Sequence, residues 1–170
     1  MVLKLILVLA ISLILKGMQG KRWYYYLPIV CVYIFLILSI TLMEREVGGV
    51  SEISLDLLHK YAQMFTKGWW GNGQYIAREI IGNVILFIPL GQLLSVIFRG
   101  KYLPLIAILG FFVSLAIEIT QYRYGLGTFE VADLIHNTLG AVCGYYIYKT
   151  DFYLKGKALW NHIRSRCLRR

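Results

Sequence analysis

Charge is what this chain is short of. Only 16% of its 170 residues are Asp, Glu, Lys or Arg, where a soluble globular domain carries roughly 25%. That shortage excludes an ordinary soluble enzyme and a disordered chain alike. Three cysteines, Cys31, Cys143 and Cys167, are too few for a disulfide-stapled secreted domain. With three prolines there is no Pro- or Ser-rich linker, and no internal repeat is visible. The sequence also lacks a serine elbow, an HExxH pair, a phosphate-binding glycine loop and any nucleic-acid motif. No catalytic residue, cofactor or metal is therefore expected, and no nucleic-acid partner.

What fills the chain instead is apolar: 58% of residues are hydrophobic and the mean hydropathy is +0.62. These values describe an all-α, polytopic transmembrane bundle. At roughly 20 residues per spanning helix, about five spans fit. The first runs from Val2 to Leu15 and the second from Leu27 to Met43. The third covers Ile80 to Phe98, the fourth Leu103 to Ile119 and the fifth Val131 to Tyr148. Lys16, Lys21 and Arg22 flank the first run with no small-x-small cleavage site, so it reads as a retained span. Trp23, Tyr24, Tyr25 and Tyr26 precede the second, where amphipathic rings anchor at the interface. Residues 1–43 thus form two N-terminal transmembrane helices.

Residues 44–79 are the longest polar stretch. Ile53, Leu57, Leu58, Tyr61, Met64 and Phe65 recur there at helical spacing behind Ser51, a suitable cap. The expectation is an amphipathic helix lying on the membrane surface, followed by an aromatic turn at Trp69 and Trp70. Residues 80–148 form a core of three helices. Residues 149–170 form a basic cytoplasmic tail directed at an anionic leaflet.

Lysine and arginine set the expected orientation. Residues 16–22 carry three basic and no acidic residues, residues 99–101 two and none, and residues 151–170 six against one. By contrast, residues 44–79 hold four basic and five acidic residues, and residues 120–133 one and two. The two classes alternate, so the N-terminus is expected outside and the C-terminus inside.

The last three spans each carry a stripe of small and polar residues. Asn83, Phe87, Gly91 and Ser95 are spaced by four, as are Gly110, Ser114 and Glu118, with Gln121 a turn beyond. Asp133, Asn137, Gly140 or Ala141, and Gly144 share a stripe of the fifth. A carboxylate facing hydrocarbon is expensive, roughly 2.5–3.5 kcal/mol on insertion scales. The economical arrangement turns the stripes inward around one polar pocket near the outer surface, lined by Asn83, Glu118, Gln121, Asp133 and Asn137. Pro89, which removes the hydrogen bond to the Ile85 carbonyl, is expected to bend the third helix there.

The string Asn83-Val84-Ile85-Leu86-Phe87-Ile88-Pro89-Leu90-Gly91 resembles the N-x-x-x-F-x-P-x-G signature of the VanZ-like family. Ser114-x-x-x-Glu118-x-x-Gln121 and Asp133-x-x-x-Asn137-x-x-Gly140 look like its second and third blocks, in order and spacing. The likeness covers about residues 50–148 and implies a multi-pass protein of a bacterial cytoplasmic membrane. The family is named for a component of glycopeptide-resistance gene clusters, and its founding member is linked to teicoplanin resistance. The resemblance makes Phe87, Pro89, Gly91, Ser114 and Gly140 supporting residues. In one departure Thr128 stands where the family usually has arginine, and Arg123 is the nearest substitute.

Three functions follow as expectations. The pocket engages an outer-leaflet lipid-linked wall precursor or an acyl-bearing lipoglycopeptide, Glu118 and Asp133 accepting hydrogen bonds from hydroxyl or ammonium groups. Alternatively the acids, with His136 beside them, act as an intramembrane enzyme on polyprenyl or phospholipid substrates. In the third, the chain is a purely structural membrane subunit. Membrane lipids are partners in all three.

Overall fold

The computed structural model describes residues 2–18, 23–43, 52–55, 61–62, 66 and 73–167. Among these, helix α1 runs Val2–Gly17 and α2 Leu27–Leu38, with a π-type turn over Ser39–Met43. Helix α3 is Gln74–Ile97, α4 is Leu103–Arg123 and α5 is Val131–Cys167. Two-residue strands β1 (Ile53–Ser54) and β2 (Phe129–Glu130) pair in parallel. The chain is thus almost entirely helical.

Helices α3 and α4 are long and apolar enough to cross a membrane. Their 24 and 21 residues extend about 36 and 31 Å at 1.5 Å each, against a hydrocarbon core of about 30 Å. The segments Leu5–Gly17 and Leu27–Leu42 are apolar but shorter. Helix ends differ from the apolar runs for a simple reason. Hydropathy marks where side chains avoid water, whereas a helix continues until its backbone finds other partners. So α3 begins before Ile80, α4 passes Ile119, and α5 continues without a break from the expected span into the basic segment.

Within residues 44–79 the structure departs from the expected helix at Ile53. Its backbone is extended and pairs with Phe129, while the Phe129 N–H donates to the Glu52 carbonyl at 2.9 Å. Inter-segment pairing outweighs the weak helical spacing of single apolar residues. Ser51, Leu57, Leu58, Met64, Phe65, Trp69 and Trp70 lie outside the described residues.

Helices α3 and α5 pack closely, and glycine is why. A Cβ at Gly91 would fall on the Ala141 carbonyl, one at Gly140 on the Val84 carbonyl, and one at Gly144 on the Ile88 carbonyl. With little hydrophobic drive between helices in lipid, such backbone approach supplies the van der Waals contact. Helix α3 runs unbroken through Pro89. The Tyr33 hydroxyl donates to the Leu86 carbonyl at 2.8 Å beside that site, tying α2 to α3. Phe87, Leu86, Leu93, Ile117, Val8 and Tyr33 belong to the buried core.

The helices alternate in direction, which gives the bundle two chemically distinct ends. At one end α1 finishes, α2 starts, α3 turns into α4, and α5 passes by. Lys16 pairs with the buried Asp151 at 3.3 Å. Lys155 donates to the Lys16 carbonyl at 2.9 Å, a cation on the negative end of α1. Tyr26 donates to the Met18 carbonyl at 2.7 Å. Gly100, in the tight turn between α3 and α4, sits against Tyr148 and Lys149. Basic residues of α1 and α5 therefore meet at this end, beside the turn between α3 and α4.

Candidate functional site

At the opposite end the start of α1, the end of α2, the start of α3, the end of α4 and the start of α5 converge. They enclose a cavity of about 450 Å³. Asn83, Glu118, Gln121, Asp133 and Asn137 all line it. Leu5, Ile40, Leu86 and Ile117 supply aliphatic wall.

The end of α4 shows how the chain shapes this site. Gly125 adopts a left-handed φ of 61°, and the Leu126 N–H closes back onto the Gln121 carbonyl at 2.8 Å. This is a Schellman-type stop, which favours glycine because a Cβ strains that backbone. The reversed chain carries Gly127, Thr128 and Glu130 across the cavity and into α5.

Glu118, Gln121 and Asn137 are each held by a specific partner. Glu118, 2% exposed, accepts the Glu130 backbone N–H at 3.0 Å. It thereby fixes the entry of α5, whose N-terminal dipole favours negative charge nearby, including Asp133 in its first turn. Gln121 donates from Nε2 to the Thr41 carbonyl at 2.8 Å, joining α4 to the turn after α2. Asn137 donates from Nδ2 to Ser114 Oγ at 2.8 Å, joining α5 to α4. Among the described residues, Gln121 Oε1 and Asn137 Oδ1 are buried without a hydrogen-bond partner.

The residues expected to support the pocket divide. Ser114 and Gly140 are buried next to it, the first by its bond to Asn137 and the second by contact with α3. Phe87, Pro89 and Gly91 are buried in the bundle and do not line the cavity. All three lie one to two turns deeper than Asn83, and Phe87 and Gly91 take part in the close packing of α3 on α5. Arg123 is exposed on the last turn of α4 and likewise does not line it. Among the described residues the cation lining the cavity is Arg78, on the first turns of α3, and Arg123 does not stand beside Thr128 there. His136 does not line the cavity either. It is buried and its Nε2 lies 2.6 Å from the Tyr61 hydroxyl. A residue next to Asn137 points about 100° around the helix, which turns the imidazole out of the cavity wall. Among the described residues no group of three or more His, Cys, Asp or Glu is placed to hold a metal ion.

Arg78, Glu79, Thr41 and Glu130 were not legible as pocket residues from the apolar runs, yet all line it. Glu79 had a usable signal, lying four residues before Asn83 on the same stripe. A second cavity of about 600 Å³, between α2 and α3 at the basic end, is lined by Leu27, Val30, Leu93, Val96 and Ile97 with Tyr26 and Arg99. It carries little polar chemistry, so the smaller cavity is the candidate site.

The VanZ/LLP1 family model matches residues 23–154, and the chain belongs to that family. A curated relative, Protein VanZ of Enterococcus faecium, is 42% identical over 72 residues, which are 42% of this chain and 44% of that protein. The chain therefore matches less than half the length of that relative. No solved structure matches.

Proposed function

We propose, with VanZ/LLP1 membership as the premise, that this chain is a multi-pass membrane protein that lowers susceptibility to lipoglycopeptide antibiotics of the teicoplanin kind. It does so by engaging an acyl-bearing or lipid-linked ligand of the outer leaflet in its polar cavity. Five helices cross the bilayer, the shorter α1 and α2 included. The basic end faces the cytoplasm and the cavity faces out.

The single observation that carries this reading is the convergence of Asn83, Glu118, Gln121, Asp133 and Asn137 on one cavity. That cavity lies at the end of the bundle opposite Lys16, Lys149 and Lys155. Buried polar groups in lipid are costly and mark functional paths. Here they share a wall with aliphatic side chains, as a site for an amphiphile requires.

The test is susceptibility to teicoplanin and to vancomycin with and without the gene. The expected result is a selective change for the acyl-bearing drug. That change should vanish in the double variant Glu118→Gln/Asp133→Asn at equal membrane abundance. Unaltered resistance in a well-expressed double variant overturns the reading.

A further inference from the structure

We infer that the apolar cavity between α2 and α3 at the basic end binds an anionic glycerophospholipid, its phosphate on Arg99 and an acyl chain between the helices. The inference is independent of the polar cavity. In the orientation proposed above it places the lipid in the inner leaflet.

Helices α2 and α3 are tied at Tyr33 and Leu86. Toward the basic end they leave about 600 Å³ between them. The floor of this groove is Leu93 and Tyr26, both buried, and the tyrosine hydroxyl is already spent on the Met18 carbonyl. Its lips are Leu27 on α2 and Ile97 on α3, 57% and 68% exposed, so the space is open from the side. From Leu93 to Ile97 the wall rises about 6 Å, which takes the head-group end of an acyl chain and leaves the rest to the bilayer.

The rim decides which lipid. Among the described residues the charged member of the lining is Arg99, which is exposed and in no ion pair. The segments that meet at this end, residues 16–22, 98–102 and 149–170, carry three, two and seven basic residues. Their one acid is Asp151, and it is paired with Lys16. A basic rim on an apolar inter-helix groove suits an anionic head group, and a guanidinium fork matches phosphate oxygens two at a time.

The backbone gives Arg99 this place at a steric cost. Helix α3 stops with the Gly100 N–H on the Ser95 carbonyl at 2.7 Å and the Arg99 N–H on the Val96 carbonyl at 3.2 Å. The left-handed residue of such a stop is usually glycine. Here it is Arg99, with a φ of 53°, although Gly100 stands next to it. A Cβ is crowded in that conformation, and strain of this kind collects where a side chain clamps a ligand.

The experiment uses the full chain in nanodiscs, with Cys31, Cys143 and Cys167 changed to serine and a bimane fluorophore on Ile97→Cys at the groove. A label on Ile108→Cys, exposed on α4 outside the groove, is the reference. Quenching by phosphatidylglycerol with brominated chains is compared with quenching by the matching phosphatidylcholine. The preference for the anionic lipid is expected to be on the order of fivefold greater at Ile97 than at Ile108, the scale of one basic side chain at an anionic surface. Arg99→Gly should abolish that excess while the unfolding midpoint in phosphatidylcholine holds or rises, because glycine suits the left-handed position. Arg99→Lys should keep most of it, and Arg164→Gln/Arg166→Gln in the basic tail should leave it intact. Equal preference at the two labels overturns the site, leaving only a general attraction to the basic end. An excess that survives Arg99→Gly overturns the role of Arg99. Quenching at Ile108 with none at Ile97 overturns lipid as the occupant and leaves the groove to a second copy of the chain.

Discussion

The side-chain amide of Asn137 donates to Ser114 Oγ at 2.8 Å, with both residues buried. One hydrogen bond thus joins α5 to α4 beside the cavity and decides which end of the amide remains free. Ser114→Ala should lower thermal stability modestly, by about 0.6–1.7 kcal/mol as for other interhelical hydrogen bonds in lipid. A double-mutant cycle with Asn137→Ala, followed by thermal unfolding in detergent, should return a coupling of that size. Additive losses would mean the two side chains do not share this bond.

Glu118 has a structural task distinct from its charge, because its Oε2 holds the Glu130 N–H. Glutamine keeps a side-chain oxygen in that place and alanine does not. Glu118→Gln should therefore unfold close to the wild-type midpoint. Glu118→Ala should lose about 1 kcal/mol by leaving a part-buried N–H without this acceptor. If both variants fall equally, the carboxylate charge itself is holding the fold, and the resistance assay on the amide variant must be read as a stability effect.

The α3–α5 contact leaves no room for a side chain at Gly144, whose Cβ would meet the Ile88 carbonyl. Neither backbone can give way locally, so the helices must separate. Gly144→Val should cost at least the roughly 1–3 kcal/mol typical of overpacking, seen as a lower midpoint in detergent or as loss of folded protein. Gly17→Ala, where no described residue lies within 4 Å of the added carbon, is the control expected to change little.

At the basic end Lys16 pairs with Asp151, whose side chain is 8% exposed. Removing the lysine leaves a buried carboxylate without that cation, so Lys16→Met should destabilise more than the partly exposed pair would suggest. Adding Asp151→Asn should recover part of the loss. Thermal unfolding of the two single variants and the double should give a coupling of about 0.5–3 kcal/mol. Full additivity would remove the contact as a tie between α1 and α5.

The proposed orientation has its own check. In a background with Cys31, Cys143 and Cys167 changed to serine, Tyr124→Cys should react with a membrane-impermeant maleimide on intact cells. Lys101→Cys should react only after permeabilisation. Both positions are exposed and lie at opposite ends of α4. The reverse pattern would invert the topology and put the cavity on the cytoplasmic side.

The stripes Asn83–Gly91, Ser114–Gln121 and Asp133–Gly144 were readable because a helix repeats every 3.6 residues, and polar groups within apolar runs stand out. They gave the pocket side chains and the close-packing glycines. The bounds of the helices were less readable, since α5 carries on into a segment whose composition says only that it is basic. Ile53 misled for the same reason that single apolar residues often do: one residue fits either period, and its pairing with Phe129 is settled by a segment 76 positions away.

Composition and spacing, then, determined by themselves that the chain is helical and apolar, and which faces of its last three helices carry polar groups, because both depend only on neighbours along the chain. The tertiary structure alone decided that Arg78, not Arg123, stands at the cavity, that His136 turns to Tyr61, and that Phe87 and Gly91 serve packing. It also decided which amide oxygens are left over. Those outcomes hinge on the depth and rotation of each helix against the others, and these are set by glycine contacts and hydrogen bonds between residues far apart in sequence.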